Sequence, residues 1–269
     1  MSTVNDPVLA VAIRAARTAA SILADAARDL KRLPAFSKEH ADIVTGADIE
    51  AEDAIIAAIR GAFPDHAILG EESGHITGAR EGGGYKWLIE PVDGAANFVH
   101  GFASYAVSIA LVHGTEVTHA VVLDPVHDEL FCAAKAKGAT CNGVTMHVSA
   151  CLRLADALVG TMMPSRESAK LSAYLPTLNA LVGQCGGIRQ SGSCALSLAH
   201  LAAGRLDGFW MTSLKPWDIA AGALLVKEAG GRIGDFAGGT QFLRTSEVIV
   251  STPGVFNLLR EAIASARLG

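Results

Sequence analysis

Apolar positions along the chain follow two spacings, and the balance between them shifts near residue 150. Leu9, Ile13, Ala16, Ala20, Leu23, Ala27 and Leu30 recur every three or four residues, which places them on one face of a long helix. Asp6-Pro7 supplies its start, an N-cap followed by proline at the first helical position. Residues 31–40 form a polar connection containing Pro34, and a second helix is predicted over 48–62 from Ile49, Ala54, Ile55, Ala58 and Ile59. Short apolar runs at 67–69 and 86–89 predict strands on either side of the glycine-rich segment AREGGGY. Between 104 and 132, valine, isoleucine and leucine are interrupted at His113-Gly114-Thr115 and Asp124-Pro125, the pattern of antiparallel strands joined by tight turns. Further on, helices over 165–182, 193–204 and 218–230 alternate with strands over 205–211 and 247–251. The pattern predicts layered helices and sheets. An antiparallel-rich lobe over 1–150 would carry most of the candidate ligands, and an α/β lobe over 151–269 would contribute Asp218.

Composition narrows the class. Half of the 269 residues are apolar and 18% are charged, which excludes a disordered chain. The formal charge is -5 and no run of lysine or arginine occurs, so no nucleic-acid partner is expected. A small phosphorylated substrate stays open, because bound metal ions can supply positive charge locally. Five cysteines, Cys132, Cys141, Cys151, Cys185 and Cys194, include no CxxC pair and are expected to be reduced thiols. The N-terminal MSTVNDPVLA lacks the pattern of a signal peptide. No window reaches the roughly 18 consecutive apolar residues of a membrane span. A soluble, cytoplasmic protein with no membrane partner is the expectation.

The candidate chemistry lies in carboxylates at the ends of apolar runs. Glu71 and Glu72 follow AILG, Glu90 and Asp93 stand in EPVDGAANF after KWLI, and Asp218 stands in KPWDIAAG where a helix begins. Magnesium takes hard oxygen ligands in octahedral geometry, and two such ions can clamp a phosphate ester and activate water. Gly94 permits close backbone approach to a phosphate, and a helix starting near Ala95 would offer free N–H groups. Taken singly, Glu71-Glu72 reads as a solvated pair, Asp93-Gly94 as a turn and Asp218 as a helix cap. Other chemistries lack support. The nine histidines show no HExxH spacing, no GxxxxGK[ST] occurs, and Ser165 and Ser193 lack a GxSxG setting. Trp87, Trp210 and Trp217 read as core, and Lys215 is as readily a solvated lysine as an anion contact.

In order and spacing, DIVTGAD, GEES, EPVDGAANF, LDPVHDELFCAAKAKGATCNG, SGSCALSLAHLAAGRLDGFW and KPWDIAAG resemble the blocks of the inositol monophosphatase family, from about residue 38 to 235. The resemblance implies an alternating five-layer α-β-α-β-α sandwich, about two or three Mg2+ ions per site and a homodimer. Position by position, it implies metal ligation by Glu71, Glu90, the Val92 carbonyl, Asp93 and Asp218. Glu71, Asp48 and Ala95 fall at catalytic positions, and Gly94, Ala95, Ala96, Ser193 and Met211 at phosphate or substrate positions.

Three departures from the family pattern cluster here. Glu90 replaces an aspartate, moving the carboxylate by up to about 1.5 Å. Ala95 replaces a threonine whose hydroxyl pairs with the residue at position 48, and loss of one positioned proton-transfer group commonly costs about 10²–10⁴ in rate. Met211 replaces a substrate-contacting glutamate and cannot accept a strong hydrogen bond. The expected activity is Mg2+-dependent hydrolysis of a small phosphate monoester, inositol monophosphate or a related sugar or polyol phosphate. The alternatives are another ester, such as histidinol phosphate or a phosphoadenosine nucleotide, and a catalytically weak binding or regulatory protein.

Overall fold

The structure, a computed structural model, describes residues 6–28, 35–37, 43–78, 84–164 and 170–268. Helix α1 (Pro7–Ala27) starts where the Asp6 carboxylate accepts the N–H groups of Val8 at 2.9 Å and Leu9 at 3.2 Å, satisfying donors a helix end leaves open. The antiparallel pair β1 (Ala35–Ser37) and β2 (Ile43–Thr45) leads into α2 (Gly46–Ala62). The first large sheet contains β3 (Ala67–Gly70), β4 (Gly74–Ile76), β5 (Tyr85–Asp93), β6 (Ala106–His113), β7 (Glu116–Asp124), β8 (Glu129–Ala134), β9 (Ala139–Cys141) and β10 (Val144–Thr145), in the order β10-β9-β8-β7-β6-β5-β3-β4. A short helix, α3 (Ala95–Val99), separates β5 from β6. Neighbouring strands are antiparallel except β3 and β5, which run parallel and end at the same edge.

The second sheet contains β11 (Leu158–Thr161), β12 (Gly187–Gln190), β13 (Gly208–Thr212), β14 (Arg232–Gly234) and β15 (Glu247–Ser251), ordered β12-β11-β13-β15-β14. Its helices are α4 (Leu171–Val182), α5 (Cys194–Ala202), α6 (Pro216–Glu228), α7 (Phe242–Thr245) and α8 (Phe256–Leu268). Strand alternation sorts the side chains into layers. On β5, Trp87 and Ile89 join the core under α1 and α2, whereas Leu88 faces the core of α5 and α6. On β13, Phe209 and Met211 join that same α5/α6 core, and Trp210 packs on the far side with α4 and α8. The layers therefore run α1/α2, first sheet, α5/α6, second sheet, α4/α8. The fold is a mixed α/β sandwich of five layers. Every residue of α6 from Ile219 to Val226 is buried, as expected of a helix covered on both sides.

Some elements depart from their expected bounds. The segments 165–169 and 79–83, and most of 31–40, lie outside the described residues, so α4 is described only from Leu171. The strand expected over 205–211 begins at Gly208, because Gly204 turns the chain at a φ of +73° and the Arg205 guanidinium turns to Glu129. The β9–β10 hairpin was unanticipated, although Asn142-Gly143, both at positive φ, is a strong hairpin signal. By length and hydropathy α1 passes for a membrane span. Leu9, Ala12, Ala15, Ala16, Ala19 and Leu23 are nonetheless buried in the α1/α2 core, the packing of a core helix.

Candidate active site

The parallel pair β3/β5 sets the site, since both strands deliver carboxylates at one edge: Glu71 follows β3, and Glu90 and Asp93 close β5. The turn after β3 is fixed by a residue that the sequence reading passed over. Glu52, on α2, is 1% exposed, and its two carboxylate oxygens accept the backbone N–H groups of Glu72 at 3.0 Å and Ser73 at 2.7 Å. A Cβ on Gly70 would stand 2.6 Å from the Glu52 Cδ, so the carboxylate occupies space that only glycine leaves. The signal was present, because Asp48 and Glu52 are four apart and share a helix face. An acid at that spacing ordinarily reads as solvated.

Glu90 is 3% exposed, and its carboxyl is pushed well above the usual range, first by burial and then by Glu71, Asp218 and Asp93. It shares a hydrogen bond with Glu71, an acid pair that one proton holds together, and also accepts the Val92 N–H at 3.3 Å. Asp93 is tied to the second half of the chain. Its Oδ2 accepts the Ser193 hydroxyl and the Ala195 N–H at 2.6 Å, and its carboxyl also accepts the Cys194 N–H. Ser193 meanwhile caps α5 by accepting the Leu196 N–H at 3.2 Å. Burial raises the Asp93 carboxyl to about 6 against the opposing pull of those three donors. Asp218 is the third residue of α6, and its Oδ2 accepts the Lys215 N–H at 2.7 Å. Helix capping and proximity to Glu90 thus coexist in one side chain.

Gly94 holds a φ of +101°, and a Cβ there would lie 2.9 Å from the Ser104 carbonyl oxygen. From this glycine α3 starts, with Ala95 and Ala96 in its first turn. Asn97 fastens that turn to the α5 side by donating from Nδ2 to the Ser104 carbonyl at 2.7 Å and the Ser191 carbonyl at 2.8 Å. Sequence reading missed Asn97 as well. Asp48 is buried in the first turn of α2, and Ala95 packs against the same α1/α2 core. Met211 lies within the α5/α6 core at 4% exposure. Trp87 and Trp210 are fully buried, Trp217 is partly buried, and Lys215 is exposed.

Among the described residues no three His, Cys, Asp or Glu side chains surround a single point as ligands. The donors nevertheless suit a hard divalent cation. They are all oxygen, and they gather around a buried Glu90 whose carboxyl is pushed up by burial and by Glu71, Asp218 and Asp93, the setting in which a divalent cation offsets crowded negative charge.

A model of the inositol monophosphatase family matches residues 4–267. The chain belongs to the inositol monophosphatase family. Membership places it among phosphoric monoester hydrolases, and that family typically depends on Mg2+. Its similarity to individual members runs nearly end to end. It is 45% identical over 262 residues to Nus factor SuhB of Pseudomonas aeruginosa, covering 96% of each chain. It is 39% identical over 249 residues to Nus factor SuhB of Escherichia coli K12, covering 93% of this chain and 92% of the other. Among solved structures, the extragenic suppressor protein SuhB of Bartonella henselae superposes with a TM-score of 0.92 at 37% identity, covering 96% and 98% of the two chains. An inositol monophosphatase from Anabaena gives 0.83 at 31%, covering 96% and 95%.

Proposed function

We propose that this member of the inositol monophosphatase family hydrolyses a small phosphate monoester, inositol monophosphate or a related sugar or polyol phosphate, with Mg2+. The observation that carries the reading is the buried Glu90 carboxyl, hydrogen-bonded to Glu71 and raised further by Asp218 and Asp93. Uncompensated acids in so dry a place cost the fold stability, and a divalent cation offsets that cost. Glu71, Glu90, the Val92 carbonyl, Asp93 and Asp218 would hold the ions. When bound, Mg2+ supplies positive charge to the phosphoryl oxygens and makes water a nucleophile near neutral pH.

The remaining work falls to the chain itself. The α5 donors hold Asp93 at a fixed angle, and Glu52 holds the turn that carries Glu71. The backbone N–H groups of Gly94, Ala95 and Ala96 bind the phosphate. Ala95 has no hydroxyl, so Asp48 reaches the attacking water through a second water. Ser193 serves by orienting Asp93. The working unit is proposed to be a homodimer in the cytoplasm. Phosphate release from a panel of small esters, with Mg2+ or with chelator, tests the reading. Release only with Mg2+ supports it, and the best ester names the substrate.

A second reading rests on Ala95 together with the relatives' name, Nus factor SuhB. In it the chain has kept the acidic cleft but acts as a binding or regulatory protein. Mg2+ and phosphate would then bind without turnover of any ester.

A further inference from the structure

Away from the acidic cleft, a cavity of about 670 Å3 opens between the β6–β7 hairpin, the C-terminal half of α6 and α7. Its lining includes none of Glu71, Glu90, Asp93, Ser193 or Asp218. The floor is apolar, formed in part by Leu88, Val112, Leu224 and Phe242, each less than a tenth exposed. The rim is basic: Lys86, Lys135, Lys227 and Arg244 stand there against only two acids, Glu116 and Glu228.

Both acids are already engaged. Glu116 pairs with Lys135 at 2.5 Å. The Glu228 carboxylate accepts the backbone N–H groups of Ala136, Lys137 and Gly138 at 2.8, 3.1 and 2.8 Å. Lys86, Lys227 and Arg244 form no ion pair among the described residues. The Lys227 ammonium instead lies 5.2 Å from the centre of the Phe242 ring, at the boundary of floor and rim. On a chain of net charge -5, a local excess of cations over an apolar pit is a specific arrangement. Its volume falls in the range of small-molecule sites, which pair an apolar lining with a few placed polar groups.

We infer that this cavity is a second ligand site, for a small amphipathic anion. The aromatic or branched apolar body of such a ligand would fill the pit, while its acid group meets Lys86, Lys227 and Arg244. The occupant would rest on α6 and against Leu69 of β3, the elements that carry Asp218 and lead into Glu71.

The test uses the full-length protein and 8-anilinonaphthalene-1-sulfonate, an aromatic body bearing one sulfonate, followed by fluorescence titration. Saturable binding at one site is expected, unchanged by Mg2+ with inorganic phosphate. The neutral analogue N-phenyl-1-naphthylamine, the same aromatic body without the sulfonate, should bind at least about tenfold more weakly. Lys227→Glu with Arg244→Glu should weaken the sulfonate at least about tenfold. Both side chains are exposed, so the fold should survive, which near-ultraviolet circular dichroism checks. Arg244→Gln alone should give an intermediate loss. Equal affinity for the neutral analogue, or unchanged affinity after charge reversal, would reduce the cavity to a non-specific apolar patch. Displacement by Mg2+ with phosphate would move the probe to the acidic cleft and overturn the assignment.

Discussion

Replacing Glu52 by alanine removes the acceptor of two backbone N–H groups, those of Glu72 and Ser73. Hydrogen bonds to a charged acceptor each contribute about 1.5–3 kcal/mol. The Glu72 and Ser73 turn is partly open to water, which re-solvates the orphaned donors, so the lower end applies. Two bonds then give a loss of about 3 kcal/mol for Glu52→Ala. Glu52→Gln keeps one carbonyl oxygen and should lose about half as much. Gly70→Ala attacks the same contact from the other side, its Cβ standing 2.6 Å from the Glu52 Cδ, at a cost of about 1–3 kcal/mol. In the Glu52→Ala background that clash disappears, so the double variant should be less damaged than the two losses added together. Urea unfolding measures each loss, and Mg2+ titration measures how far loosening the turn displaces Glu71. Glu52→Ala and Glu52→Gln both within about 0.5 kcal/mol of wild type, with additive behaviour at Gly70, would show that Glu52 does not hold this turn.

Three further outcomes concern Asp93, Asn97 and Ala95. Burial raises the Asp93 carboxyl from 3.8 to about 6, so between those values the folded chain binds a proton the unfolded chain releases. Stability of the metal-free protein relative to Asp93→Asn should therefore fall by about 3 kcal/mol as pH rises from about 4 to about 6; urea unfolding in chelator reads this, and a flat or rising difference contradicts it. Asn97→Ala should cost about 2 kcal/mol by leaving the carbonyls of Ser104 and Ser191 without their donor, and an unchanged unfolding midpoint would deny Asn97 its fastening role. Ala95→Thr should raise kcat if orientation of water limits the reaction, with KM little changed; no gain would show a site adapted to alanine.

Legibility differed between the fold and the site for physical reasons. Helix starts at Asp6-Pro7 and Ser193 were readable because capping is local chemistry, whereas α6 begins at Pro216, two residues before the expected start at Asp218. The carboxylates at the ends of β3 and β5 were readable because each follows an apolar run. Contacts closing over long stretches of chain were not. Asp93 and Ser193 are a hundred residues apart, and nothing local in either segment announces the pairing. Asn97 reaches Ser191 across a similar span. Glu52 stayed hidden because its partners are backbone amides, which carry no residue identity to read. Met211 is legible as apolar, but its place in the α5/α6 core follows only once β13 has its register against β15.

In the proposed function Glu90 works as a charged ligand of Mg2+ rather than as a buried structural acid. Burial and Glu71 push its carboxyl well above the usual range, and Glu90→Gln keeps nearly the same shape while removing the carboxylate. Phosphate release from the best ester should be measured for wild type and Glu90→Gln over a range of Mg2+ concentrations, alongside unfolding of both in chelator. Near-equal stability is expected, with the Mg2+-dependent release of wild type reduced at least about a hundredfold in the variant. Release undiminished in folded Glu90→Gln, or absent from folded wild type at every Mg2+ concentration, would contradict it.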